Sequence, residues 1–189
     1  MSNNTSQDRL FDGALTLVQP ERGHRIGTDA VLLAAACPPT TGTVCDVGSG
    51  VGAVGLRIAQ RCALAQVHLV EIDPALHALA RENARANALD ARVSAHCADV
   101  LSRDYRSGAT GPAPGSCDIA VTNPPFLDPS RARLSPDGNR RRAHAASVPL
   151  EAWLGACLSR LTGRGELLLI HRADALDRLL VAAKGRIGG

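Results

Sequence analysis

Apolar positions along this 189-residue chain fall into short blocks whose period switches between two and about 3.6, which predicts strands alternating with helices. Residues 11–19 (FDGALTLVQ) read as short strands with Leu15, Leu17 and Gln19 on one side, ended by Pro20. Thr28 or Asp29 then caps a short helix running to about Cys37 and stopped by Pro38 and Pro39. Residues 43–47 form a short buried strand, followed by a glycine-rich loop and a helix over about 52–61. A second strand covers 67–73, and Asp73 and Pro74 serve as N-cap and first residue of a helix through about Asn87. Its inner face is Leu76, Leu79, Ala80, Asn83 and Ala84.

Residues 93–100 are the third strand, and 117–126 are a fourth strand running into a loop. The Gly-, Ser- and Pro-rich stretch between them reads as a surface connection around a short helix. From Val148 to Leu161 the apolar positions 150, 153, 154, 157, 158 and 161 follow the helix period, which puts Trp153 in the core. Gly163–Gly165 make a turn into a fifth strand over 165–171, and Ala173–Lys184 is a last helix with Leu176, Leu179, Leu180 and Ala183 inward. This rhythm implies an α/β fold, a mostly parallel sheet covered by helices on both faces. Right-handed crossovers then gather the strand C-termini on one edge, where ligands bind.

The length suits one domain, taken as residues 11–189, with residues 1–10 as a frayed, disordered tail. The first ten residues lack the apolar stretch of a signal peptide, and no apolar run reaches the roughly 20 residues of a membrane span. Six cysteines occur without CxxC or metal-ligand spacing, mostly in apolar runs, which fits reduced structural thiols in a cytoplasmic protein. A net charge of +3 permits nucleic acid without announcing it. Its distribution says more: between Arg131 and Arg142 stand five arginines (Arg131, Arg133, Arg140, Arg141, Arg142) and one acid, in a stretch with no clean period. Such a segment is expected to grip phosphates of a nucleic-acid partner; a solvated charged loop is the alternative.

Asp46-Val-Gly48-Ser-Gly50-Val-Gly52 lies at the end of the first core strand and opens a helix. Glycines permit so tight a strand-to-helix turn, which brings a ligand carboxylate near free helix N–H groups. The next acid at a strand end is Glu71, nineteen residues past Gly52, a spacing that brings a carboxylate over ribose hydroxyls. Because Gly50 to Gly55 also spell GxGxxG, a dinucleotide is not excluded by this loop alone. Asp99, at the end of the third strand, stands where it can accept from an adenine amino group, or simply cap the next segment. Asp46 is either a ligand contact or an acid that ties loop N–H groups together.

Asn123-Pro124-Pro125-Phe126 follows the fourth strand. Two prolines fix the backbone, so Pro124 contributes a rigidly aimed carbonyl beside the Asn123 side-chain carbonyl. Two acceptors converging on one NH₂ hold its lone pair toward an electrophile and favour the positive charge that develops on nitrogen, while Phe126 can stack on a planar group. An ordinary Asn-Pro turn is the plain alternative.

With these residues in view, the chain resembles class I methyltransferases that act on adenine N6, cytosine N4 or glutamine N5, whose signature is (D/N/S)-P-P-(Y/F/W) and is met by residues 123–126. It is most similar to the bacterial small-domain family that includes tRNA(Val) adenine-N6 methyltransferases of the anticodon loop, especially over 19–36, 45–59 and 121–129. The resemblance implies a Rossmann-like fold and S-adenosyl-L-methionine as cofactor, leaving S-adenosyl-L-homocysteine. It places Arg25, Gly27, Thr28 and Asp29 at the border of the cofactor pocket, Gly48 and Gly50 behind the methionine moiety, Glu71 at the ribose and Asp99 at the adenine. Asn123 and Phe126 would handle the target base, with no metal and no covalent intermediate. It also implies a C-terminal antiparallel strand pair, expected to be missing because the chain stops soon after its fifth strand–helix unit. The expected activity is adenine N6 methylation in RNA, with tRNA as partner and a monomeric enzyme. Glutamine N5 or rRNA and DNA base methylation, and a non-catalytic cofactor-binding module, are the alternatives. Glutamine enzymes usually carry a separate N-terminal helical domain and DNA enzymes a target-recognition domain.

Overall fold

A computed structural model describes residues 4–22, 25–124 and 149–188. Five parallel strands form the central sheet: β3 (Thr43–Val47), β4 (Gln66–Glu71), β5 (Val93–Cys97), β6 (Cys117–Thr122) and β7 (Leu161–Leu169), in the order β5-β4-β3-β6-β7. The direction of winding reverses between β3 and β6, where Val47 stands opposite Thr122. In an open parallel sheet such a reversal opens a crevice at the strand C-termini.

Alternation along each strand divides its side chains between two cores. Val44, Val67, Leu69, Ile119 and Val121 face one core with helices α1 (Thr28–Ala36), α2 (Ala53–Arg61) and α3 (Pro74–Ala86). Cys45, Val47, Val70 and Ala120 face the other, with Tyr105 of the short helix α4 (Arg103–Ser107) and Trp153 and Cys157 of α5 (Leu150–Leu158). Asp73 caps α3 as the sequence predicts, accepting from the N–H groups of Ala75 and Leu76, with Pro74 following. The connection from α4 to β6 is anchored by Arg160, fully buried, which donates to the carbonyls of Tyr105, Arg106 and Pro112 and lies 4.5 Å over the Tyr105 ring.

Several expectations are corrected. Within the supposed N-terminal tail, Thr5–Leu10 form strand β1, paired antiparallel with β2 (Leu15–Pro20) through a turn in which Phe11, Asp12 and Gly13 all have positive φ. The tail reads as polar because β1 is an outer strand: its side chains are exposed or half-buried, and it is held by backbone pairing and by β2, whose Leu15, Leu17 and Gln19 are buried. The antiparallel pair among the described residues is therefore N-terminal. Helix α1 starts from Gly27 as N-cap with no side-chain capping bond, not from Thr28 or Asp29. Strand β7 begins at Leu161, four residues early, because the Gly163–Gly165 segment is taken up by a register irregularity that sets Leu161 opposite Cys117 and Glu166 opposite Ile119.

The last helix buries Ala183 as expected but turns Leu176 and Leu180 away from the core. A 3₁₀ turn over Ala173–Ala175 precedes α6 (Leu176–Ala183), and the buried residues are Ala175, Ala182 and Ala183. Leu176 and Leu180 are exposed. Small residues let α6 approach Leu154 of α5 closely, and that contact, not leucine count, sets the buried side.

Candidate active site

Four neighbouring strands bring the chemistry to one edge. In the sheet order β5-β4-β3-β6 their C-terminal ends lead to Asp99, Glu71, Gly48 and Asn123. Strands lie about 4.8 Å apart, so these residues line up along one crevice.

The glycine turn between β3 and α2 is built as the sequence requires. Gly48, Gly50 and Gly52 have φ of +75°, +56° and +91°, the left-handed region that side chains disfavour. The N–H groups of Gly48 and Ser49 both donate to the Val70 carbonyl, at 2.9 and 3.0 Å, which fastens the turn to the end of β4. A Cβ on Gly48 would stand 2.9 Å from the Trp153 ring, while one on Gly50 would meet nothing within 4 Å. The turn is thus packed from below at Gly48 and open at Gly50.

Glu71 supports the same turn. Its Oε2 accepts from Gly50 N–H at 2.9 Å and its Oε1 from Asp73 N–H at 2.8 Å. Burial raises its carboxyl above the usual carboxylate range, against the pull of these backbone donors. Each carboxylate oxygen has a further lone pair to offer a ligand hydroxyl. Asp46 lies beneath the turn, 2% exposed, with Oδ2 accepting from Gly55 N–H at 2.9 Å. Burial pushes its carboxyl up to about 7, the Gly55 bond opposes this and the charge of Glu71 adds to it. Asp99 Oδ1 accepts from Leu101 N–H at 2.9 Å and so caps the turn after β5.

Asn123 and Pro124 close the described part of the opposite wall, half-buried and buried respectively. The Oδ1 of Asn123 is buried without a hydrogen-bond partner, as is Ser49 Oγ in the glycine turn. An unpartnered buried acceptor costs about 1–3 kcal/mol. The fold therefore holds an acceptor next to the crevice that nothing among the described residues satisfies. These features fit S-adenosylmethionine: open space at Gly50, a carboxylate already oriented by two backbone donors, and the orphaned Ser49 hydroxyl in the turn.

Not every expected residue joins this edge. The hydrogen bonds of Arg25 run to the N-terminal hairpin, with an ion pair to Asp8 at 2.8 Å and bonds to Ser6 Oγ and the Pro20 carbonyl. Gly27 is the N-cap of α1, and Thr28 and Asp29 are exposed in its first turn. Phe126 and the arginines at 131, 133, 140, 141 and 142 lie outside the described residues.

Two residues without an assigned role in the sequence do meet the site. Trp153 Nε1 donates to Thr122 Oγ1 at 2.9 Å, and that hydroxyl donates to the Val47 carbonyl at 2.8 Å. The available signal was a tryptophan on a buried stripe, whose N–H must find an acceptor. Among the described residues no group of three or more His, Cys, Asp or Glu is placed to hold a metal ion, and no helix is long and apolar enough to cross a membrane.

Residues 24–136 match the family described as methyltransferase small domain. The tRNA1(Val) (adenine(37)-N6)-methyltransferase of Porphyromonas gingivalis strain W83 is 35% identical over 170 residues, covering 86% of this chain and 65% of that protein. The enzyme of the same description from Glaesserella parasuis is 30% identical over 157 residues, covering 82% and 63%. The chain thus spans somewhat less than two thirds of these relatives. A predicted O-methyltransferase from Agrobacterium tumefaciens superposes with a TM-score of 0.63 at 25% identity, covering 82% of this chain and 67% of that one.

Proposed function

Because the chain belongs to the methyltransferase small domain family, we propose that it methylates the exocyclic N6 of an adenine in RNA, with a tRNA anticodon loop as substrate and S-adenosylmethionine as methyl donor. The observation that carries this reading is the orphaned Oδ1 of Asn123 at the crevice between β3 and β6. The similarity to tRNA adenine-N6 enzymes of P. gingivalis and G. parasuis supports the choice of base and substrate.

The cofactor, when bound, supplies an electrophilic sulfonium methyl whose bond to sulfur breaks with the electron pair left on sulfur. The chain's own residues do the rest. Gly48 and Gly50 form the turn that receives the methionine moiety, Glu71 orients the ribose, and Asp99 turns its carboxylate toward the adenine. Asp46 keeps the turn in shape through Gly55. Asn123 Oδ1 and the Pro124 carbonyl accept the two N–H groups of the target amine, which directs its lone pair at the methyl carbon. As the N–C bond forms, these acceptors stabilise the charge on nitrogen until a proton leaves to solvent. Phe126 stacks on the turned-out base, and Arg131, Arg133, Arg140, Arg141 and Arg142 hold the neighbouring phosphates. Holding nitrogen and methyl in line supplies much of the rate, and no metal takes part.

The test is incubation of the protein with methyl-labelled S-adenosylmethionine and tRNA lacking N6-methyladenosine, followed by nucleoside mass spectrometry. Label in N6-methyladenosine is expected, and Asn123→Ala should lower turnover roughly a hundredfold while leaving S-adenosylhomocysteine affinity nearly unchanged. Label in another nucleoside or in a protein glutamine, or full turnover by the variant, overturns the reading.

A further inference from the structure

Trp153 is the chain's sole tryptophan, and it touches both walls of the crevice. Its indole lies against Gly48, where a Cβ would be 2.9 Å from Cζ2 and 3.1 Å from Cη2. Its Nε1 donates to Thr122 Oγ1 at 2.9 Å, and Thr122 donates in turn to the carbonyl of Val47 at 2.8 Å. Thr122 directly precedes Asn123, and Val47 directly precedes Gly48. One side chain from α5 therefore braces the start of the glycine turn by contact and the strand end bearing Asn123 by a hydrogen bond.

Core filling alone does not account for this arrangement. A leucine or phenylalanine would fill the space without bringing a polar N–H into a site only 7% exposed. A buried indole N–H must be satisfied, and here its acceptor is a fully buried hydroxyl between the two strand ends, not a carbonyl of its own helix.

Resting on the reading of the glycine turn and Asn123 as the two halves of the site, we propose that Trp153 is a positioning residue. It fixes the spacing between the turn that seats the methyl donor and the asparagine that holds the acceptor nitrogen. Trp153 touches neither reacting atom and acts through Gly48 and Thr122. Methyl transfer requires in-line approach, and a displacement of about 1 Å far from the chemistry can lower a rate about a hundredfold. The consequence is a selective loss of turnover when the brace is loosened, with the cofactor still bound.

The experiment uses the full chain and S-adenosylhomocysteine as probe. Titration should change the fluorescence of Trp153 saturably, with the midpoint that calorimetry gives for the same ligand. Trp153→Phe keeps a ring against Gly48 and removes the N–H, and Thr122→Val removes the hydroxyl at nearly constant volume. Each should lower kcat on tRNA by about ten- to a hundredfold while KM for S-adenosylmethionine and the calorimetric Kd stay within about twofold. The double variant should be no worse than the poorer single one, since both break the same link. Thr122→Ser should restore turnover, and this rescue serves if Trp153→Phe fails to fold. Calorimetric binding with silent Trp153 fluorescence, or lower melting temperatures with unchanged kcat, overturns the inference alone. No S-adenosylhomocysteine binding by the unaltered protein overturns the proposed function and this inference with it.

Discussion

Asn83 and Val18 exchange two hydrogen bonds: the Val18 N–H donates to Asn83 Oδ1 at 2.7 Å, and Asn83 Nδ2 donates to the Val18 carbonyl at 3.0 Å. The side-chain amide thus treats β2 as a neighbouring strand would. One turn along α3, Asn87 repeats the pattern with both backbone groups of Thr16, at 3.0 and 2.7 Å. Asn83 Nδ2 also donates to the carbonyl of Val51 in the glycine turn at 3.0 Å. One fully buried amide therefore joins the N-terminal hairpin, α3 and the proposed cofactor loop.

Replacing Asn83 with alanine leaves Val18 N–H and the Val18 and Val51 carbonyls without this partner. A loss of about 3 kcal/mol is expected in urea unfolding, since each buried unsatisfied group costs about 1–3 kcal/mol. Asn87→Ala, on the half-buried side, should cost less. Equal and small losses in both would show that the hairpin is not held this way.

Gly48 and Gly50 should respond differently to alanine. Both carry positive φ, so each substitution adds about 1–2 kcal/mol of backbone strain. Gly48→Ala also presses a methyl into Trp153, whereas Gly50→Ala meets no protein atom. Gly48→Ala is therefore expected to melt lower. Gly50→Ala should fold but lose S-adenosylhomocysteine affinity about tenfold or more, which is about 1.4 kcal/mol, because its methyl enters the space assigned to the ligand. Calorimetry and thermal melting on the two variants separate these effects, and undiminished affinity in Gly50→Ala would place the ligand elsewhere.

Asp46 makes stability depend on pH. Burial first, with help from Glu71, holds its carboxyl at about 7 in the fold. The folded chain therefore binds a proton that the unfolded chain releases near pH 4, and stability falls as pH rises from about 4 to 7, then levels off. Across that window the contribution is about 4 kcal/mol. Asp46→Asn keeps an acceptor for Gly55 and removes the titration. Its melting temperature should exceed that of the unaltered protein at pH 8 and approach it at pH 4. Parallel melting curves against pH would contradict the buried-carboxyl account.

In the proposed function the arginines at 140, 141 and 142, which follow the NPPF sequence in the chain, hold phosphates around the base received by Asn123. Changing all three to alanine should weaken tRNA binding and reduce the slope of log K against log salt by about 2 units, as three fewer counterions are released on a single-stranded loop. S-adenosylhomocysteine affinity should stay constant. An unchanged slope would assign phosphate binding to another surface.

The sequence determined by itself whatever rests on local chemistry. The short apolar runs at 43–47 and 117–122 marked strands; Asp73-Pro74 marked the start of α3; and the glycines at 48, 50 and 52 marked the turn, where three positive φ values are found. The order of acids and of Asn123 along the chain placed them all at strand ends before any pairing was known. Tertiary structure decided what depends on partners distant in sequence. Thr5–Leu10 is a strand only because β2 lies beside it, and β2 stays in place because amides more than sixty residues later bond its backbone. The buried side of α6 follows from the close approach of Ala182 and Ala183 to α5, which hydrophobic period alone misjudges when alanines and leucines compete for a seam. Trp153 shows the limit most plainly. Its burial was legible from helical spacing, but its contact with Gly48 and its bond to Thr122 arise where three separate chain segments converge, and no local pattern encodes that convergence.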